Sequence, residues 1–176
     1  MSPAAQRVFP ITLDLPEIQA VLPHRGEILF VRRVVVLEPE HFVGEASWSS
    51  ELHVLQGHFP GLPMVPGVLL IEAVAQVAGA GMLVGDERAA GLEADHVGVL
   101  AGVRKCSFKR PVAADTEVLI DVRTRQMSPL AASVAGVVSD AAGELASVEI
   151  LILKTPREQL ALGSDAPRPA HGADRA

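Results

Sequence analysis

The chain has 176 residues, enough for one domain with a sizeable core. A formal net charge of −6 argues against general nucleic-acid binding, and a single cysteine, Cys106, excludes an intrachain disulfide or a multi-cysteine metal site. Hydrophobic residues make up 49 % of the chain and the mean hydropathy is +0.31, yet no uninterrupted apolar run reaches the roughly 18 residues of a membrane span. The N-terminus lacks a basic segment followed by an apolar one, so no secretory signal is expected and a reducing cytoplasm is the expected location.

In chain order, residues 1–11 read as a loose lead-in. Asp14 and Pro16 open a short helix that Pro23 ends, with His24 and Arg25 in the loop beyond. A β-rich run at 28–37, a turn at Pro39 and Glu40, and an alternating run at 42–48 predict two paired strands. Phe42 and Trp48 are expected to pack in the core. A Gly/Pro-rich loop from Gly57 carries His58 and runs into an almost wholly apolar helix from Gly67, interrupted by Glu72 and Gln76. Such a helix should be buried nearly all round, and a carboxyl group in it should be paired or have a raised pKa. A polar, exposed segment is expected at 85–95. Strands follow at 97–110, 116–125, 131–139 and 144–154, the last two joined by a turn at 140–143. Residues 1–155 read as a single domain and 156–176 as a disordered tail rich in Pro, Ala and Gly.

Strands joined by tight turns pair antiparallel. The expected architecture is therefore α+β: an antiparallel sheet of about six strands curled around one long apolar helix. Its free edges make homodimerisation through an edge strand the expected remedy. His41, His53, His96 and His171 lack ligand-like spacing, and no metal is expected.

Three segments carry a specific resemblance: Leu22-Pro23-His24-Arg25, then GHFPGLPMVPGVLLIEAVAQ from Gly57, then FKRPV from Phe108. In this order they resemble the β-hydroxyacyl-[acyl-carrier-protein] dehydratases of the FabZ type. The resemblance implies the hot-dog fold, a dimer with two active sites at the subunit interface, and often a trimer of dimers. It implies conversion of (3R)-hydroxyacyl thioesters to trans-2-enoyl thioesters, on the phosphopantetheine arm of an acyl carrier protein and without a further cofactor. His58 of one chain would be the base and Glu72 of the other the acid. The related FabA-type dehydratase-isomerases carry Asp at the position of Glu72, which favours simple dehydration.

The chemistry asks for the same groups: a base for the C2 proton, an acid for the departing hydroxyl, and dipoles for charge on the thioester carbonyl. An imidazole suits the first role. The helix N-terminus at Gly67 and Val68 suits the third, with unpaired N–H groups and the positive end of the helix dipole. Gln76, one turn beyond Glu72, is placed to orient its carboxyl. Phe59, Pro60 and Pro66 shape the loop that aims His58. Arg104, Lys105, Lys109 and Arg110, with Arg32 and Arg33, form a candidate docking surface for an acidic carrier protein. His24 and Arg25 read as turn structure and interface packing.

The chain departs from the family at Gly26 and Glu27, where an aromatic and a proline are usual, at Arg32 in place of Asp, and at Ser107 in place of Arg. In the family the missing aromatic lies near a mobile loop at the tunnel entrance, so the resemblance allows a specialised acyl or polyketide substrate. A hot-dog thioesterase and a non-catalytic, carrier-binding subunit are the alternative readings.

Overall fold

A computed structural model describes residues 7–85 and 96–161. Seven strands form one antiparallel sheet: β1 Ile11–Asp14, β2 Val31–Glu38, β3 His41–Ala46, β4 His96–Phe108, β5 Val118–Ser128, β6 Ala131–Asp140 and β7 Gly143–Pro156. Four helices accompany them: α1 Leu15–Val21, α2 His53–Gln56, α3 Gly67–Gly85 and α4 Arg157–Ala161. The order across the sheet is β1-β2-β3-β5-β6-β7-β4, so the chain leaves α3 for the far edge before returning to pair β5 with β3.

Several element boundaries differ from the sequence reading. Ile11 opens a strand and does not belong to a lead-in, because residues 11–14 pair with 33–36 of β2. The first long strand begins at Val31 rather than residue 28, since Gly26–Ile28 form a 3-10 turn closed by the Leu29 N–H on the Gly26 carbonyl at 3.2 Å. Residues 157–161, expected in the tail, are helical. The rest of that tail, His171 and the polar segment after Gly85 lie outside the described residues.

The sheet wraps α3 because its concave face is Val, Leu, Ile and Ala at alternate positions, as in β5, where Val118, Ile120 and Val122 are buried. Trp48 and Phe42 are fully buried in the same core. Helix and sheet approach closely at glycines. A Cβ at Gly81 would lie 2.3 Å from the Phe42 ring, and one at Gly44 would lie 2.2 Å from Val77. Glycine is required there by packing rather than by backbone conformation.

α3 is not covered all round, contrary to expectation. Its buried side carries Leu70, Ala73, Val74, Val77, Ala78 and Ala80. The flank of Glu72, Ala75, Gly79, Met82 and Leu83 is only partly buried and lines an open cavity. The sheet closes round one side of the helix and leaves this strip uncovered. The long edge strand β4 likewise has no fully buried residue over its 13 positions.

Gln76 is 1 % exposed and joins α3 to the start of β2. Its Nε2 donates to the Ile28 carbonyl at 2.6 Å, and its Oε1 accepts from the Phe30 N–H at 3.1 Å. Buried amides need such partners, and leaving them unmade costs about 1–3 kcal/mol per group.

Two outcomes follow, both readable by denaturant unfolding with Trp48 fluorescence. Gly81→Val should lose at least about 2 kcal/mol, because overpacking against a fully buried ring has no room to relax. Gln76→Leu should lose about 3 kcal/mol by orphaning the Ile28 and Phe30 backbone groups. Stability within about 0.5 kcal/mol of wild type for either variant would contradict the packing just described.

Candidate active site

The loop at 57–66 is held by the segment after β4. The Val65 N–H donates to the Val112 carbonyl at 2.8 Å, and the Ala114 N–H donates to the Pro63 carbonyl at 3.2 Å. Two of the three motif segments are therefore stitched together by backbone hydrogen bonds. Pro66 is buried while Phe59 and Pro60 are exposed, and the Phe59 ring stacks on His58 with centroids 4.3 Å apart.

His58 Nδ1 lies 3.2 Å from the Met64 carbonyl oxygen. A carbonyl only accepts, so Nδ1 carries the hydrogen and Nε2 is left with its lone pair free to take a proton. His58, Gly67, Val68, Phe108 and Lys109 line a common surface pocket of about 400 Å³. The structure thus brings the imidazole together with the N-terminus of α3. Gly67 has a packing reason of its own: a Cβ there would lie 2.7 Å from the Phe108 ring.

Glu72 points elsewhere. With His24 it lines a separate cavity of about 300 Å³ that runs beside α3 past Ala75 and Gly79 to Met82. That span of ten residues is about 15 Å of helix. His96 from β4, Lys154 from β7 and Arg157 from α4 line the same cavity. Within one chain, His58 and Glu72 open into different pockets.

The immediate partners of Glu72 are Gln76, whose Nε2 donates to Oε1 at 2.9 Å, and His24, whose Nε2 is 3.2 Å from the same oxygen. The raised pKa expected from burial in an apolar helix does not occur. The His24 hydrogen bond holds the carboxyl below its ordinary value, with Gln76 and the His24 charge adding to it, and together they outweigh the opposing effect of burial. His24 is the residue that sequence reasoning underrated. It sits 48 positions from Glu72 in the chain, so no local spacing links the two; the Leu-Pro-His-Arg motif marked it without saying what it touches.

Arg25 explains how His24 is held. Its guanidinium donates to the carbonyls of Gln19 at 2.7 Å, Leu22 at 2.7 Å and His24 at 2.6 Å, capping the end of α1 and fixing the loop. The departures from the family pattern also have structural places. Gly26 has φ of +63°, which favours glycine, and opens the 3-10 turn. Glu27 pairs with His53 at 2.9 Å on the surface.

The candidate docking cations divide into two groups. Lys109 is paired with Glu144 and Arg110 with Asp140, each at 2.7 Å, so both serve the β6–β7 hairpin. Arg33 is paired with Glu45 at 3.5 Å. Arg104, Lys105 and Arg32 have no ion-pair partner among the described residues. No cluster of three or more His, Cys, Asp or Glu able to hold a metal occurs among the described residues.

Residues 22–147 match the FabA-like domain family. A 3-hydroxyacyl-[acyl-carrier-protein] dehydratase FabZ of Bacillus pumilus is 40 % identical over 121 residues, covering 68 % of this chain and 81 % of that protein. The FabZ of Solibacter usitatus is 28 % identical over 147 residues, 84 % of this chain and 88 % of the relative. Among solved structures, the dehydratase heterocomplex ApeI:P of Xenorhabdus doucetiae is similar with a TM-score of 0.66 at 20 % identity, over 91 % of this chain and 100 % of that one. Cj0977 of Campylobacter jejuni, a sigma28-regulated virulence protein, has a TM-score of 0.58 at 15 % identity, over 81 % of this chain and 90 % of that one. The sheet wrapped on α3 is thus the hot-dog fold, and the chain belongs to the FabA-like family, on the side of its FabZ-type members.

Proposed function

We propose that this protein removes water from 3-hydroxyacyl thioesters carried on an acyl carrier protein, giving 2-enoyl thioesters for fatty-acid or related acyl synthesis. The observation that carries the reading is the division of labour on α3 in a FabZ-type chain. His58, its Nδ1 against the Met64 carbonyl, shares a pocket with the helix N-terminus, and Glu72 stands on the flank the sheet leaves uncovered. The two are apart in one chain and would meet in a two-fold dimer, in which β4 and the open flank of α3 are the surfaces lacking cover.

In such a site His58 Nε2 takes the C2 proton. The electrons of that C–H bond become the new C2–C3 π bond, and the C3–O bond breaks. The departing oxygen takes a proton through Glu72 of the partner chain and leaves as water. The N–H groups at Gly67 and Val68 receive the charge that builds on the thioester oxygen, where pre-aimed donors act without reorganisation. Arg104, Lys105 and Arg32 are the cations that remain for an acidic carrier protein, since Lys109 and Arg110 are engaged internally. A carrier-bound substrate and a single half-buried cysteine both fit a reducing cytoplasm.

Incubation with a 3-hydroxyacyl carrier protein should give a product lighter by one water, read by intact mass. Release of free acid instead would replace this reading with thioester hydrolysis. His58→Ala and Glu72→Gln should each reduce kcat by at least about a hundredfold with the fold intact. A separate outcome tests the shared site: when the two inactive variants are unfolded together and refolded as a mixture, about half the dimers are mixed and each holds one intact site, restoring about a quarter of wild-type activity. A mixture as inactive as its parents would place both groups in one chain's site or outside the site altogether.

A further inference from the structure

We propose that His24 is a positioning residue that holds the leaving group's proton in a pair with Glu72, so that the acid of the site is His24 and Glu72 together. This rests on the dehydratase reading. An acid catalyst must keep its proton at the working pH, and an ordinary carboxyl group, with a pKa of about 4.3, is almost wholly ionised at neutrality. Burial was the expected cure. Here the polar contacts prevail, and the carboxyl is held below its ordinary value. The first cause is the hydrogen bond to His24, so the ionisation of Glu72 is tied to the imidazole that touches it.

His24 is built into a position against that carboxyl. Its Nε2 is 3.2 Å from Glu72 Oε1, and both side chains line the same cavity. Its Nδ1 is buried with no hydrogen-bond partner among the described residues, so the imidazole's orientation is set by Glu72 and by its backbone. That backbone is clamped between Pro23 and Arg25, whose guanidinium grips the His24 carbonyl at 2.6 Å. Gln76 Nε2 donates to the same Oε1 at 2.9 Å. A surface histidine with only a turn to make needs none of this.

The charged and titratable groups that face the Glu72 cavity are His24 from the loop after α1, His96 from β4, Lys154 from β7 and Arg157 from α4. α3 adds no charge besides Glu72 itself. Among the described residues, none of His96, Lys154 and Arg157 is within ion-pair distance of Glu72. His24 is the one in contact.

The step then balances. The pair shares one proton across the contact between Nε2 and Oε1. As the C3–O bond breaks, the proton passes from Nε2 to the carboxyl group and on to the departing oxygen, while His58 gains the proton from C2. The enzyme finishes with His24 neutral, Glu72 ionised and His58 protonated, and exchange with solvent resets it. Proton loss is a property of the pair rather than of either residue.

His24→Gln is the decisive variant, because the amide keeps an N–H donor for Glu72 and carries no titratable proton. The kcat of wild type and variant would be followed from pH 5 to 9 on a 3-hydroxybutyryl carrier protein. The alkaline limb should move to lower pH by at least about one unit, with kcat at pH 8 reduced at least about tenfold and KM changed less than about threefold. A uniform loss at every pH, a change in KM alone, or an unmoved limb would each overturn the proposal. Carbon-13 titration of the Glu72 carboxyl gives a readout independent of turnover. The wild-type signal should record two coupled steps and the variant only one, and identical curves would also overturn the pair. If wild-type protein removes no water at all, the dehydratase reading fails, and the carboxyl titration alone decides whether the two residues share a proton.

Discussion

The side-chain amide of Gln76 is the constraint on which the rest of the site depends. Buried in the core, it satisfies the Ile28 carbonyl and the Phe30 N–H at the entry to β2 and donates to Glu72 with the same nitrogen. One amide therefore fixes where β2 departs from the helix, how the loop bearing His24 passes α3, and which way the carboxyl faces. The cost of leaving any of these groups unpaired in an apolar interior is what makes the arrangement rigid.

The helix also explains why the two candidate groups, His58 and Glu72, open into different pockets. α3 presses one side into the sheet so closely that glycine is needed at Gly44 and Gly81. The other side carries Glu72 along an open apolar strip, and the N-terminus faces His58 in a different pocket. A single sheet of this curvature covers one side of one helix. The uncovered strip and the long edge of β4 are the two surfaces that the proposed two-fold partner would cover.

The loop after α1 has a more specific part than its place outside the central motif suggests. Arg25 spends its guanidinium on three backbone carbonyls and not on an ion pair, which makes the loop a rigid mount for His24. Gly26 and Glu27, which break the family pattern, are accommodated directly after this mount. The 3-10 turn uses the positive φ of Gly26, and Glu27 faces His53 on the surface. The departure thus leaves the contact of His24 with Glu72 in place.

Much of the molecule was legible in the residues alone. Period-two alternation in β5 to β7, the Gly/Pro loop and the apolar run from Gly67 specify an antiparallel sheet and one long helix, because these patterns depend only on local periodicity. Glu72 and Gln76 stand out in an apolar helix, but it is the resemblance of the GHFPG segment and the helix after it to FabZ-type chains that names His58, Glu72 and Gln76 as site residues. β1 was hidden because four residues carry too little periodicity to separate a strand from a lead-in. The contact of His24 with Glu72, the lowered carboxyl pKa, the separate pockets and the internal pairing of Lys109 and Arg110 were decided by tertiary structure. Each joins residues dozens of positions apart, and the ionisation of a buried group is set by the few atoms that touch it, which no sequence spacing records.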